Sequence, residues 1–342
     1  MRWLWLCALL VVPGLLLPAG APVGQTAGTV IRLATLVPDG SVWDKALRTT
    51  GVEWSQATQG RVSLRVYPGG VAGDEPEVVR KMRIGQLQAA ALTVAGLAEI
   101  DESFRVFAIP MFFDSYPELF HVIRKLEPTL KRRLEAKGYV LMQWGHAGWV
   151  HFFTRTPVQT IAELKKLRIF VWAGDDRSAQ MWKANGFNAV ALAATDILPA
   201  LQTGMIDALP SPPLAANLLQ WFRHAPNMAD IGLGPLAGAM VISKPVWNRI
   251  SESDRSAILA ACRKAEQKLE VEIPGQDSMA VAEMKKRGLN VTHIRPENAA
   301  AWRGTAEEFA NDMRAGIVPR DVLDLALHER DAYRRSHPRS TR

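Results

Sequence analysis

Few side chains in this sequence stand where they could carry covalent or metal chemistry. His146 and His151 lie five residues apart across a glycine turn, and zinc would need further ligands from elsewhere to bind there. His121 and His224 are too scattered to complete such a set. Adjacent carboxylates occur at Asp74-Glu75 and Asp175-Asp176, but adjacency does not place two acids across a scissile bond. Beside Gly73 and Gly174 they read as turn residues. No dinucleotide-binding glycine fingerprint, phosphate loop or GxSxG elbow is present. With no nucleophile or base to name, the sequence favours binding over catalysis, and neither a cofactor nor a metal is expected.

Aromatic side chains offer a different chemistry. The stretch KLRIFVWAGDD, from Lys166 to Asp176, is a short apolar strand running into a turn. In an extended chain Arg168, Phe170 and Trp172 share one face, and Leu167, Ile169 and Val171 share the other. If that strand ends in a cleft, Phe170 and Trp172 wall it with aromatic area. Core packing is the competing reading for both.

The elements that would position these residues alternate between strand and helix. TVIRLATLVP reads as a strand, and the segment after it as a helix sending Trp43, Leu47 and Trp54 to a core, with Gly51 as a weak point. RVSLRVYPGG alternates as an edge strand. PEVVRKMRIGQLQAAALT and ILPALQTGMIDALPS repeat one local plan, a helix stopped by Gly85 or Gly204 and followed by a short strand. YVLMQWG and HFFT read as two strands separated by glycines. Thr160 with Glu163 forms a capping box, and Ser251 with Asp254 an approximate one. Pro274-Gly275 is expected to break or kink the long helix that follows Ser251. The class is therefore α/β.

Composition agrees with a soluble globular protein: 342 residues, 48% hydrophobic and 22% charged. Arg2 followed by the apolar run Trp3–Leu17 reads as an export signal within residues 1–26, its cleavage point open; an uncleaved anchor is the alternative. Removing it leaves Cys262 alone, a buried structural thiol on the face shared with Ile258, Ala265 and Leu269. The formal charge of +7 is spread thinly, with Lys131-Arg132-Arg133 on the wet side of a helix. No basic and aromatic residues interleave as in a nucleic-acid groove, so no nucleic-acid partner is expected.

The ordered blocks LATLVPDGSVWDKAL, YPGGVAGDEPEVVRKMRIGQLQAA, AIPMFFDSYPELF, TPVQTIAELKKLRIFV, LPALQTGMIDALPSPP and MVISKPVWNRISESDRSAI resemble the DctP-type solute-binding proteins of TRAP transporters. The resemblance covers roughly Val30 to Leu325. It implies a two-lobed periplasmic solute-binding fold with a ligand cleft between the lobes. Residues 27–148 with about 235–285 would form lobe 1, and 149–234 with part of 286–325 lobe 2. Residues 326–342 would be a flexible basic tail. It further implies a small organic solute, TRAP membrane subunits as partners, a monomer and no enzymatic activity. A module presenting solute to a membrane sensor, or a lyase-like enzyme on the same fold, are the alternatives.

Departures from the family pattern concern the cleft. Many members carry an arginine where this chain has Phe170, pairing bidentately with the solute carboxylate. A second arginine of some members corresponds to Val150. Arg168 shares the face of Phe170 but lies about 6.6 Å farther from the strand end, so it either reaches a deep cleft or stays at the surface. The resemblance adds Trp43, Asp74, Glu75, Thr93, Trp149 and Ser211 as candidate contacts, with Asp207 in the segment DALPSPP, whose prolines remove backbone donors. Without the clamp a buried carboxylate is costly. The expected solute is more hydrophobic or aromatic than a C4-dicarboxylate or sialic acid.

Overall fold

The computed structural model describes residues 28–338; the proposed export signal lies outside them. The chain opens with β1 (Thr29–Thr35), α1 (Val42–Ala57), β2 (Val62–Tyr67), α2 (Glu75–Arg83), β3 (Ala89–Thr93) and α3 (Val94–Ala98). After the 3-10 segment Glu102–Ala108 come α4 (Tyr116–Ala136), β4 (Tyr139–Thr154), α5 (Ile161–Lys165), β5 (Arg168–Trp172), α6 (Asp176–Ala184) and β6 (Asn188–Leu192). Then follow α7 (Ile197–Thr203), β7 (Ala208–Ser211), α8 (Pro213–Leu218), β8 (Asn227–Ala229), β9 (Gly234–Ser243) and α9 (Lys244–Trp247). The chain closes with α10 (Glu252–Lys286), β10 (Asn290–Thr292), α11 (Pro296–Arg314) and α12 (Arg320–Ser336).

Local signals explain most of these boundaries. Ser41 Oγ accepts from Asp44 N to start α1, which buries Trp43, Leu47 and Trp54. Gly51 lies inside that helix because a Cβ there would come 3.0 Å from Leu64 Cβ, so α1 packs directly on β2. Thr160 and Glu163 form both halves of their capping box. At Ser251 only one half forms, because the Asp254 carboxylate is taken by Arg61 at 2.7 and 3.0 Å. Gly85 and Gly204 stop their helices at φ of 75° and 72°, where a side chain would be strained.

Strand order is β2-β1-β3-β9-β4-β7-β5-β6, with β8 on β4 and β10 on β8. β2 stands at one edge, as its alternation suggests. β4 pairs antiparallel with β9 from Tyr139 to Val150, and its last residues, from His151 to Thr154, pair with β7 and β8 in lobe 2. The expected pair of strands is thus one sixteen-residue strand crossing between the lobes. The helix after Ser251 likewise runs unbroken through Pro274, because packing on β4 and α8 holds it where the proline withholds an N–H. Residues 326–336 are not a flexible tail. They complete α12, which buries Val322, Leu323 and Ala326 against α4, while Arg334 pairs with Glu118 at 2.6 Å and Asp114 at 2.9 Å. Cys262 is buried with Ile258, and burial pushes its thiol up to about 12, leaving it inert.

Candidate functional site

A cavity of about 400 Å³ lies between the lobes. Lobe 1 supplies the end of β1, the N-terminus of α1, the end of β3 and the middle of β4 and β9. Lobe 2 supplies the end of β5, the start of α7, and β7 with α8. Trp43, Trp144, Phe170, Trp172 and Trp221 give it five aromatic walls, and among the described residues no lysine or arginine lines it. Phe170 and Trp172 meet edge-on with ring centres 5.5 Å apart. Phe170 satisfies both readings, being packed in the lobe 2 core while it walls the cavity.

Among the described residues Glu75 is the one carboxylate in the lining. It opens α2, yet its partners come from the end of β3: Thr93 N at 2.6 Å, Thr93 Oγ1 at 2.7 Å and Gly96 N at 2.8 Å all donate to it. Burial pushes its carboxyl up, the three donors pull it back, and the result is about 7. Burial likewise raises Glu266, which accepts from Trp144 N, to about 7. The folded pKa of each glutamate lies above its unfolded value, so the stabilisation from holding a proton is complete below about 4.5 and lost as pH rises through 7. His146, buried against Tyr116 and Phe120 and pushed down to about 4, acts oppositely, losing stability only as pH falls below 6.5. Chemical denaturation should therefore show about 1–2 kcal/mol less stability at pH 8 than at pH 6.5. Glu266→Gln should remove about half of that slope; a profile that the substitution leaves unchanged would refute the assignment.

Six of the residues expected at the site line the cavity: Trp43, Glu75, Thr93, Phe170, Trp172 and Ser211. Trp43 is also a core anchor, its Nε1 donating to His146 O at 3.1 Å. Ser211 Oγ donates to Pro212 O at 3.0 Å. The other four stand outside. Arg168 is turned away by its own partner: Nε and Nη2 donate to the two Asp207 oxygens at 2.7 and 2.8 Å, at the far end of β5. It is a surface arginine, and Asp207 is consumed in holding it. Trp149 packs edge-on to Tyr116 and does not line the cavity. Asp74 caps α2 through Oδ1 and accepts from Ala194 N at 2.9 Å through Oδ2, tying the lobes together at the rim.

Gln143 went unnoticed in the sequence. A one-residue register slip in β4, between Leu141 and Gln143, places it opposite Met240 of β9, and both residues line the cavity. Its Oε1 is buried and accepts no hydrogen bond. Strict alternation would have put Gln143 on the Leu141 face, and no local signal in the sequence announces the bulge.

The lobes meet in a closed arrangement. Arg105, from the 3-10 segment of lobe 1, donates to Asp175 at the N-terminus of α6 at 2.6 Å, and both side chains are about nine-tenths buried. Burial would raise Asp175, but hydrogen bonds from Arg105 and Ser178 outweigh it and hold the carboxyl below its ordinary value. Arg177 and Glu102 form an outer pair at 2.7 Å. Where β4 crosses between the lobes, Asp277 of α10 accepts from Trp149 N at 2.8 Å and from Leu214 N at 3.0 Å. Gly148 there has φ of 114°, and a Cβ on it would come 2.3 Å from the Asp277 carboxylate.

Two α/β lobes shut over one aromatic-lined cavity define a solute-binding protein of the two-lobed class. The family model for bacterial extracellular solute-binding protein, family 7 (DctP) matches residues 33–315, and the chain belongs to that family, the DctP-type receptors of TRAP transporters. The C4-dicarboxylate-binding periplasmic protein DctP of Rhodobacter capsulatus is 25% identical over 267 residues, 76% of this chain and 79% of that one. The sialic acid-binding periplasmic protein SiaP of Vibrio cholerae is 19% identical over 309 residues, 89% of this chain and 95% of its own. Solved structures share the fold. The Bordetella pertussis receptor DctP7, which binds pyroglutamic acid, superposes with a TM-score of 0.82 at 21% identity, over 89% of this chain and 100% of that one. The sugar acid binding protein DctPAm of Advenella mimigardefordensis, in complex with galactonate, gives 0.83 at 16% identity over 89% and 98%. No helix among the described residues is long and apolar enough to cross a membrane.

Proposed function

We propose that the protein is a periplasmic, monomeric receptor that closes its lobes over one small organic solute and delivers it to TRAP membrane subunits, catalysing nothing. The solute is more hydrophobic or aromatic than a C4-dicarboxylate. The observation that carries this is the lining of the cavity, which among the described residues has five aromatic residues, no lysine and no arginine. The relatives named above bind dicarboxylate, sialic acid, pyroglutamic acid or galactonate. Any of these acids would meet no lysine or arginine here and would lie near Glu75, an arrangement that desolvation makes costly. Aromatic area instead rewards an apolar body. Closure then follows from the solute bridging both lobes and shifting the population toward the shut form.

Mass spectrometry of the solute released by denaturing freshly purified mature protein tests this. A co-purifying aromatic or otherwise hydrophobic molecule is the expected result, and a dicarboxylate or sugar acid would overturn the reading. Trp172→Ala, which removes half of the Phe170–Trp172 wall, should weaken that solute by about tenfold or more in calorimetric titration. An unchanged affinity would remove Trp172 from the site.

A further inference from the structure

We infer that Gln143 is the polar anchor of the cavity and that the solute is an uncharged molecule whose amide or hydroxyl group pairs with the Gln143 carboxamide while its apolar body lies against the aromatic walls. This rests on the reading of the cavity as the solute site. The first support is the state of Gln143 itself: it is 6% exposed, it lines the cavity, and its Oε1 has no hydrogen-bond partner. A buried amide oxygen left unpaired is unfavourable for the fold, so it calls for a partner that the fold does not supply. The bulge in β4 sets it opposite Met240, another lining residue, and bulges commonly re-aim a side chain beside a binding site.

The second support is that Glu75, Trp43 and Ser211 of the lining are already engaged, while His146, whose two ring nitrogens are buried without a partner, packs against Tyr116 and Phe120. Glu75 accepts from Thr93 N, Thr93 Oγ1 and Gly96 N, so its charge is met by the protein. The Trp43 Nε1 donates to His146 O, and Ser211 Oγ to Pro212 O. The third support is electrostatic. With no lysine or arginine in the lining, a solute carboxylate has no counter-ion there. A solute ammonium would have to compete with three fixed donors for Glu75. A neutral amide or hydroxyl needs neither, and a carboxamide offers it both a donor and an acceptor.

A matched set of probes on one skeleton reads the charge preference: indole-3-acetamide, indole-3-acetate and tryptamine, titrated into the mature protein by calorimetry. Indole-3-acetamide should bind about tenfold or more tighter than either charged partner. Gln143→Met, close in volume, should weaken the acetamide by about tenfold while leaving the melting point of the solute-free protein unchanged or raised, since Oε1 holds nothing in the fold. Gln143→Glu keeps the shape and should turn the preference toward tryptamine. Tighter binding of tryptamine to the unaltered protein would overturn the inference and leave the apolar reading of the cavity standing. So would an affinity for the acetamide that Gln143→Met does not change. Failure of all three probes to bind would also overturn it. Tight binding of indole-3-acetate, or of glucuronate in the same assay, would overturn the proposed function as well.

Discussion

Arg105→Ala should weaken solute binding by about a hundredfold while moving the thermal midpoint of the solute-free protein far less. Arg105 and Asp175 come from different lobes and meet at 2.6 Å, about nine-tenths buried, so parting the lobes would separate them. Deleting one member of a buried pair leaves the other charge without compensation, at a cost of about 3–5 kcal/mol. In an open form Asp175 returns to water and the penalty disappears, so the substitution acts on closure and not on folding. About 3 kcal/mol against the closed state corresponds to roughly two decades in Kd. The outer pair of Arg177 and Glu102, at 2.7 Å but with exposed side chains, is the internal control. Arg177→Ala should change Kd by no more than a few fold, because solvent screens exposed pairs. Small-angle scattering with and without solute would locate the effect. Equal Kd values for the Arg105→Ala and Arg177→Ala proteins would end the assignment of the Arg105–Asp175 pair as a closure contact.

Asp277→Ala acts at the other side of the cleft and on the fold itself. The carboxylate satisfies Trp149 N, where β4 leaves lobe 1, and Leu214 N, the start of α8 in lobe 2. Each N–H left buried without a partner costs about 1–3 kcal/mol, so the loss should be about 2–6 kcal/mol in denaturant unfolding. Gly148→Ala should be destabilising by the same route, because its Cβ would collide with that carboxylate at 2.3 Å and because its φ of 114° suits glycine. The double substitution is then diagnostic. Removing the carboxylate removes the collision, so Asp277→Ala with Gly148→Ala should cost less than the sum of the two. Strict additivity would show that Asp277 and Gly148 do not share one hinge contact.

What the sequence by itself determined is local. The alternation of strand and helix, the Thr160–Glu163 box, the glycine stops at 85 and 204, and the shared face of Phe170 and Trp172 all depend on residues within a few positions of one another. Short-range sterics and hydrogen bonding decide such features, so they are readable along the chain. That phenylalanine and not arginine stands at position 170 was legible as well, because it is a matter of residue type at one strand position. Only the tertiary structure decided which polar groups reach the cavity. Glu75 is held by residues 18 and 21 positions away, and Asp175 by a guanidinium 70 positions away. Arg168, apparently well placed on the aromatic face, is withdrawn by Asp207 39 positions on. The unbroken helix through Pro274 and the continuation of α12 to Ser336 are likewise set by packing on other elements, which overrides local propensity. Gln143 shows the limit most plainly. Side chains alternate with a period of two, so one extra residue in β4 moves every later side chain to the opposite face. That slip is fixed by pairing with β9, about a hundred residues downstream, and no pattern within β4 itself records it.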